Sequence, residues 1–312
     1  MIDLHLHLDG SLTPEDVRTL ASLSGVTLPT KNDEELFSLL TARDTRSLSE
    51  YLEKFELPLS VLQSGEAVGL AVERLGDRLF DLGYSFAEIR FAPFLHLRLG
   101  ASMRSIAEGA LEGVKRSRLP IGLIFCCMRG AEKAKNEETI ECAAEYKNAG
   151  VVGVDLAGAE ALYPTENYRE IFRLAAKENL NITIHAGEAA GADSVRAALD
   201  FGAKRIGHGV AAAGDDALLE RIKNAGVTIE ICPTSNSQTG AIPSIAAHPV
   251  RTFLEKGVCC ALSSDNMTVS DTDVFREWAK LKAAFSFDDS VKERLFRSAE
   301  AASFINGREK NA

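Results

Sequence analysis

Long apolar runs are missing from this chain of 312 residues. None approaches the roughly 18 residues a helix needs to cross a bilayer, which excludes a helical membrane protein. The opening Met-Ile-Asp-Leu-His has neither the basic nor the apolar region of a signal peptide, so a cytoplasmic location is expected. Basic residues are in deficit, 35 Lys and Arg against 45 Asp and Glu, for a net charge of −10. Such a chain repels a phosphate backbone, and neither nucleic acid nor a membrane is an expected partner. Metal-binding cysteine spacing is absent as well: Cys126, Cys127, Cys142, Cys232, Cys259 and Cys260 form no Cys-x-x-Cys. The two adjacent pairs lie in strand-like runs whose neighbours point to opposite faces, so all six are expected to be reduced core residues. No Pro/Gly/Ser linker, low-complexity tract or internal repeat divides the chain. What is present, 46% hydrophobic and 26% charged residues, suits a globular protein with an ample core and excludes disorder and collagen.

Short runs rich in Val, Ile and Phe alternate with helix-periodic segments, the pattern of repeated βα units around a parallel sheet. The spacing predicts strands at Ile2–His7, Tyr84–Phe91, Ile121–Cys127, Val151–Leu156, Ile182–His185, Arg205–His208, Val227–Ile231 and Cys259–Leu262. The expected fold is α/β, a single (β/α)8 TIM-type barrel forming one domain over residues 1–312. Residues 8–83 are too many for one crossover helix. Within them Thr13, Pro14 and Asp16 read as a helix start, and Ser47–Leu62 and Glu66–Leu82 read as helices, the second stopped by Gly83. A helical insertion after the first strand would lie over the C-terminal mouth of a barrel, where it could act as a lid. Phe55, Leu57, Leu59 and Leu62 are expected to form its core, with one or two side chains free to line a pocket.

His5 and His7 are two apart on a strand and so share a face, which is metal-ligand spacing. His185 ends the fifth predicted strand in His185-Ala186-Gly187-Glu188, and His208 ends the sixth in Gly207-His208-Gly209. Asp265 follows the eighth in Ser263-Ser264-Asp265-Asn266. Each taken singly also suits a satisfied polar residue at a strand end, and Asp265 suits a cap or turn. Together, four of the chain's six histidines fall at the strand ends where barrel active sites are built. His96 and His248 read as surface or capping residues, and Arg90 as a structural partner for a nearby carboxylate.

At these residues the sequence resembles the adenosine deaminase family of metal-dependent purine deaminases. The likeness is carried by the His5–Ser11 segment (His-Leu-His-Leu-Asp-Gly-Ser), Glu88–Pro93, Val152–Glu160, His185–Glu188, Arg205–Gly209, Cys232–Asn236 and Ser264–Asn266, in family order and spanning nearly the whole chain. It implies one Zn²⁺ per chain held by His5, His7, His185 and Asp265, with a position open to water. Related two-metal barrels place a modified lysine at the end of strand four, where this chain has Asp155-Leu156-Ala157-Gly158, so one metal is expected. The resemblance further implies three catalytic residues. Glu188 would give a proton to purine N1, His208 would orient the attacking water, and Asp265 would accept a proton from it.

Substrate contacts would come from His7, Asp9, Gly158 and Asn266: Asp9 to a ribose hydroxyl, the Gly158 N–H to purine N3, and Asn266 to N7. Asp9 equally suits a turn cap and Gly158 a tight βα turn. Many family members have Asp-Asp where this chain has Asp265-Asn266, and the amide can donate without an unusual protonation state. The expected partner is a small purine nucleoside, and the expected reaction is conversion of adenosine, with 2′-deoxyadenosine, to inosine or deoxyinosine plus ammonia. The same chemistry on adenine or 6-aminodeoxyfutalosine, or a purine-binding barrel without turnover, remains open, as does the oligomeric state. The His-x-Glu with Pro-Cys-x-x-Cys signature of cytidine-type deaminases is missing.

Overall fold

The computed structural model describes residues 1–305; residues 306–312 of the expected single unit lie outside the described residues. The strands are β1 (Ile2–His7), β2 (Phe86–Phe91), β3 (Ile121–Met128), β4 (Val151–Ala157), β5 (Thr183–Ala186), β6 (Arg205–His208), β7 (Thr228–Ile231) and β8 (Cys259–Leu262). They form two parallel sheets in sequence order, β1 to β4 and β5 to β8. Two seams join them. At one, Val154 pairs with Ile182 and the Val154 N–H donates to the Asn181 carbonyl at 2.9 Å. At the other, Leu6 pairs with Asp265; His7 N donates to the Asp265 carbonyl and Asp265 N to the His5 carbonyl, both at 2.8 Å. The result is the expected (β/α)8 arrangement. Among the described residues, no helix is long and apolar enough to cross a membrane.

Side chains on one face of the strands pack against the surrounding helices in a large apolar cluster that includes Leu6, Ile89, Leu123, Ile184, Ile206 and Ile229. The opposite, inward face is charged. Arg205 reaches Glu88 and Glu230, each at 2.6 Å. Arg90 reaches Asp155 at 2.9 Å and Glu230 at 3.0 Å. All five side chains are fully buried. Burial alone would raise the Glu230 carboxyl, but Arg90, Arg205 and His5 hold it well below the usual carboxylate range. Arg90 therefore fills its expected structural role. At the lower end, Glu88 accepts from the Ser303 hydroxyl at 2.9 Å and the Phe304 N–H at 2.5 Å, and Arg205 donates to the Ala302 carbonyl at 3.0 Å.

The insertion is helical but more broken than expected. Thr13 and Asp16 form a capping box at the start of the Pro14–Ser24 helix, and Gly83 takes φ 86° after the Gly65–Asp81 helix. Asn32 caps a further helix, Asp33–Leu40, that the sequence reading passed over. The expected Ser47–Leu62 helix is instead Leu48–Leu52, a single turn over Glu53–Phe55, and Glu56–Val61. Pro58 has no N–H to offer the Lys54 carbonyl, so a continuous ladder cannot pass this point. Cys259 is exposed, against the expectation that all six cysteines are buried; the other five are buried, and all are free thiols. Cys259 opens β8, where the edge of the barrel meets solvent.

Replacing Arg90 with Leu would leave Asp155 and Glu230 buried without their shared cation, and the expected loss is about 3–5 kcal/mol of stability. Urea unfolding measures it; a loss under about 1 kcal/mol would show that the inward charges are not mutually dependent.

Candidate active site

β1 projects His5 and His7 from one face, β5 carries His185 near its end, and the turn after β8 supplies Asp265 at the β1 seam. One ligand atom from each of these four lies within 4.8 Å of the others. His7 Nε2 is 3.2 Å from His185 Nε2, and Asp265 Oδ1 is 3.4 Å from His5 Nε2 and 3.5 Å from His7 Nε2. His5 Nε2 is buried and has no hydrogen-bond partner among the described residues. Three imidazoles and a carboxylate at such separations suit one small divalent cation.

Two carboxylates aim the imidazoles. Glu230 Oε2 lies 2.7 Å from His5 Nδ1, and Asp155 Oδ2 lies 2.8 Å from His185 Nδ1. Each holds the far ring nitrogen and turns Nε2 toward the cluster. Space for the His5 ring comes from Gly207 on β6, where a Cβ would stand 2.8 Å from His5 Cε1. His208, Cys232 and Asp265 also approach one another. Burial pushes the Cys232 thiol well above its usual pKa, and it donates to the Glu230 carbonyl at 3.8 Å.

Glu188 faces the cluster. Its Oε1 accepts from the Thr239 hydroxyl at 3.0 Å, and its Oε2 lies 3.7 Å from His208 Nε2. Burial, reinforced by the negative charges of Asp265 and Glu160, pushes the Glu188 carboxyl up to about 8. Such a group is protonated at neutral pH and can donate. His208 is held neutral, because burial keeps its imidazole well below the usual value. The Asn236 amide donates to its Nδ1 at 2.9 Å, which leaves the ring proton on Nε2, facing Glu188. The His208 and Asp265 backbones both adopt left-handed φ, 66° and 61°, a region non-glycine residues seldom occupy.

These groups line a cavity of about 310 Å³, within the usual range for small-molecule sites. Asp9, Gly158 and Asn266 line it too, together with Tyr51, Phe55 and Leu59 from the insertion. Asp9 is buried, which raises its carboxyl to about 6, and its Oδ1 accepts from Gly10 N at 3.2 Å; the turn-cap reading is thus realised while the side chain also borders the cavity. Gly158 has φ 101° and borders the cavity at the end of β4, which a tight turn and a close ligand approach both favour. The Asn266 amide donates to the Tyr51 hydroxyl at 2.9 Å.

Of the two histidines expected at the surface or as caps, both are buried and one caps a helix. His96 is fully buried, and its Nδ1 lies 2.8 Å from the Leu62 carbonyl, tying the segment after β2 to the insertion. His248 is buried as well; its Nδ1 accepts from Val250 N at 3.0 Å, so it caps a helix without lying at the surface. Sequence reasoning gave no role to Glu230, Asp155, Asn236, Thr239 or Tyr51. The available signal was a charged residue at an inward strand position, as at Asp155 and Glu230, where a hydrophobic barrel layer would otherwise be expected.

The adenosine deaminase family profile matches residues 1–312. A relative named adenosine deaminase from Haemophilus ducreyi is 42% identical over 322 residues, covering 100% of this chain and 94% of that protein. Another of that name from Enterococcus faecalis is 33% identical, covering 99% and 93%. Among solved structures, an adenine deaminase from Arthrobacter aurescens superposes with a TM-score of 0.89 at 24% identity, covering 99% of this chain and 95% of that one; that likeness speaks to the fold. This chain belongs to the adenosine deaminase family.

Proposed function

We propose that this hydrolase of C–N bonds removes the 6-amino group of adenosine and 2′-deoxyadenosine, giving inosine or deoxyinosine and ammonia. Family membership supports the reaction. The observation that carries the residue roles is a buried carboxyl, Glu188, facing a four-ligand cluster across one cavity. His5, His7, His185 and Asp265 would hold one Zn²⁺. The separations of 3.2, 3.4 and 3.5 Å within the cluster would let these side chains share one such ion. When bound, the cation supplies the acidity that makes water a nucleophile at neutral pH.

The chain's own residues carry the remaining steps. Glu188 donates its proton to purine N1, which makes C6 electrophilic as the water oxygen adds there. Neutral His208, fixed by Asn236, orients that water, and Asp265 accepts a proton from it. The C6–N6 bond then breaks as Asp265 passes its proton to the amine, which leaves as ammonia, and the C6 hydroxyl proton restores the acid form of Glu188 as the carbonyl forms. Asp9 takes a ribose hydroxyl, the Gly158 N–H faces N3, and the Asn266 amide, donating one hydrogen to Tyr51, directs the other to N7. Residues 8–83 serve as a lid: Tyr51, Phe55 and Leu59 border the same cavity as the barrel-end groups and keep bulk water from it.

Ammonia release from adenosine, deoxyadenosine, adenine, AMP and 6-aminodeoxyfutalosine tests the substrate. The two nucleosides should be turned over fastest, and a much faster reaction with adenine or the futalosine compound would remove the role given to Asp9. One tightly held zinc with no ammonia from any purine would mark a binding protein instead. Glu188→Gln should keep zinc and substrate binding while kcat falls by a factor on the order of 10²; wild-type turnover in that variant would take Glu188 out of the reaction. Because Glu188 acts in its acid form, wild-type kcat should decline as pH rises through about 8, and a flat profile to well above that pH would contradict the role. Asp265→Ala and His185→Ala should each lose zinc, read by metal analysis of purified protein, since one of four ligands is gone.

A further inference from the structure

Glu160 belongs to the Val152–Glu160 segment, and the reaction as described uses it nowhere. Its side chain is 3% exposed. Oε1 accepts from Gly187 N at 2.7 Å and from the Ser194 hydroxyl at 2.5 Å. Oε2 accepts from the N–H groups of Glu188 at 3.0 Å, Ala189 at 2.7 Å and Ala190 at 3.1 Å. One carboxylate therefore binds every backbone N–H of the turn that carries Glu188. The Arg129 guanidinium acts on it through charge, while its hydrogen bonds go to the Tyr163 carbonyl at 2.8 Å, the Thr165 hydroxyl at 2.8 Å and the His185 carbonyl at 2.7 Å. Thr165 in turn meets Ser194 at 2.6 Å.

A buried carboxylate costs several kcal/mol unless it is richly hydrogen-bonded, and this one accepts from five donors. A glutamine would keep one acceptor oxygen and turn its NH2 toward N–H donors, so closing this turn uses both carboxylate oxygens. The carboxylate also sets a negative charge beneath the proton donor. The groups facing Glu188 are Asp265, His5 and His208 from the cluster side, the neutral Thr239 hydroxyl on the far side, and Glu160 beneath. Glu160 and Asp265 are the two anions among them.

We propose that Glu160 is a positioning residue for the proton donor: its carboxylate locks the Gly187–Ala190 turn so that the Glu188 side chain faces the cavity. This rests on the reading of Glu188 as the donor to N1. It explains why a carboxylate occupies a place that an amide could fill sterically: every group around its two oxygens is a donor.

The test uses Glu160→Gln, Glu160→Asp, Glu188→Gln and the double variant Glu160→Gln/Glu188→Gln, with kcat and KM for adenosine across pH and zinc content at each step. Glu160→Gln should lower kcat by roughly tenfold or more with KM within about threefold, through misplacement of the donor. It should also move the alkaline decline of kcat to lower pH by roughly half a unit or more, because a nearby negative charge is gone. Glu160→Asp keeps the charge and shortens the reach, so kcat should fall while the decline stays near its wild-type pH. In the Glu188→Gln background the Glu160→Gln penalty should vanish, because the two act through one group.

A penalty of equal size in that background, or loss of zinc that accounts for the whole fall, would overturn the proposal; so would an alkaline decline unmoved in Glu160→Gln. If Glu160→Gln does not fold, Glu160→Asp in the two backgrounds decides by the same comparison. Wild-type turnover in Glu188→Gln alone would overturn the donor reading itself, a failure separate from that of Glu160.

Discussion

The interior of this barrel is organised by charge. Glu88, Arg205, Glu230, Arg90 and Asp155 form a chain of fully buried ion pairs across the strands, and the imidazoles stand on its upper end. Glu230 holds His5 from below and Asp155 holds His185. Such pairs rarely add net stability over a well-packed apolar layer, since desolvation offsets the Coulomb term. Their effect is directional: each carboxylate has fixed bonds to an arginine and one remaining oxygen lone pair aimed at a ring nitrogen. The orientation of two candidate ligands is thereby set by carboxylates on other strands, Glu230 on β7 for His5 and Asp155 on β4 for His185.

The second constraint is the seam between β1 and the turn after β8. Asp265 donates its N–H to His5 and accepts from His7 through its carbonyl, so its backbone is gripped on both sides by the strand that bears two imidazoles. That grip sustains a left-handed φ at an aspartate, where roughly 1–3 kcal/mol of strain must be balanced by surrounding contacts. Barrel closure and assembly of the four-residue cluster are thus one event. A chain unable to pair its first strand with its last would lose the site along with the fold.

Much of this was legible in the sequence because it lies in strand ends. Periodicity located all eight strands to within two residues at either end, and His5, His7, His185, His208 and Asp265 could be placed at one mouth because a parallel barrel puts every strand's C-terminus on the same side. The supporting groups were not legible for a different reason. Glu230 and Asp155 sit inside their strands, at positions where a single carboxylate is as compatible with a turn or a surface edge as with a buried pair. Their partners, Arg90 and Arg205, are distant in sequence. His96 and His248 look like surface residues because a lone histidine in a loop carries no periodic signal; burial followed from packing of the insertion and of the Val250–Glu255 helix against the barrel. The break at Pro58 was written in the sequence, and the apolar periodicity around it concealed the interruption.

The insertion and the purine end of the cavity are joined by one contact. Tyr51, on the Leu48–Leu52 helix, accepts from the Asn266 amide at 2.9 Å and meets the Ser270 hydroxyl at 2.7 Å. An amide has two hydrogens on one nitrogen, so fixing one toward Tyr51 also fixes the direction of the other, and the insertion thereby orients a cavity-lining donor from above. A carboxyl at this position would have to remain protonated beside Asp265 to donate at all, against the like charge that neighbours it. The amide donates at every pH. Asn266 thus donates without titrating, whereas the acid form of Glu188 is maintained by burial and by the anions around it.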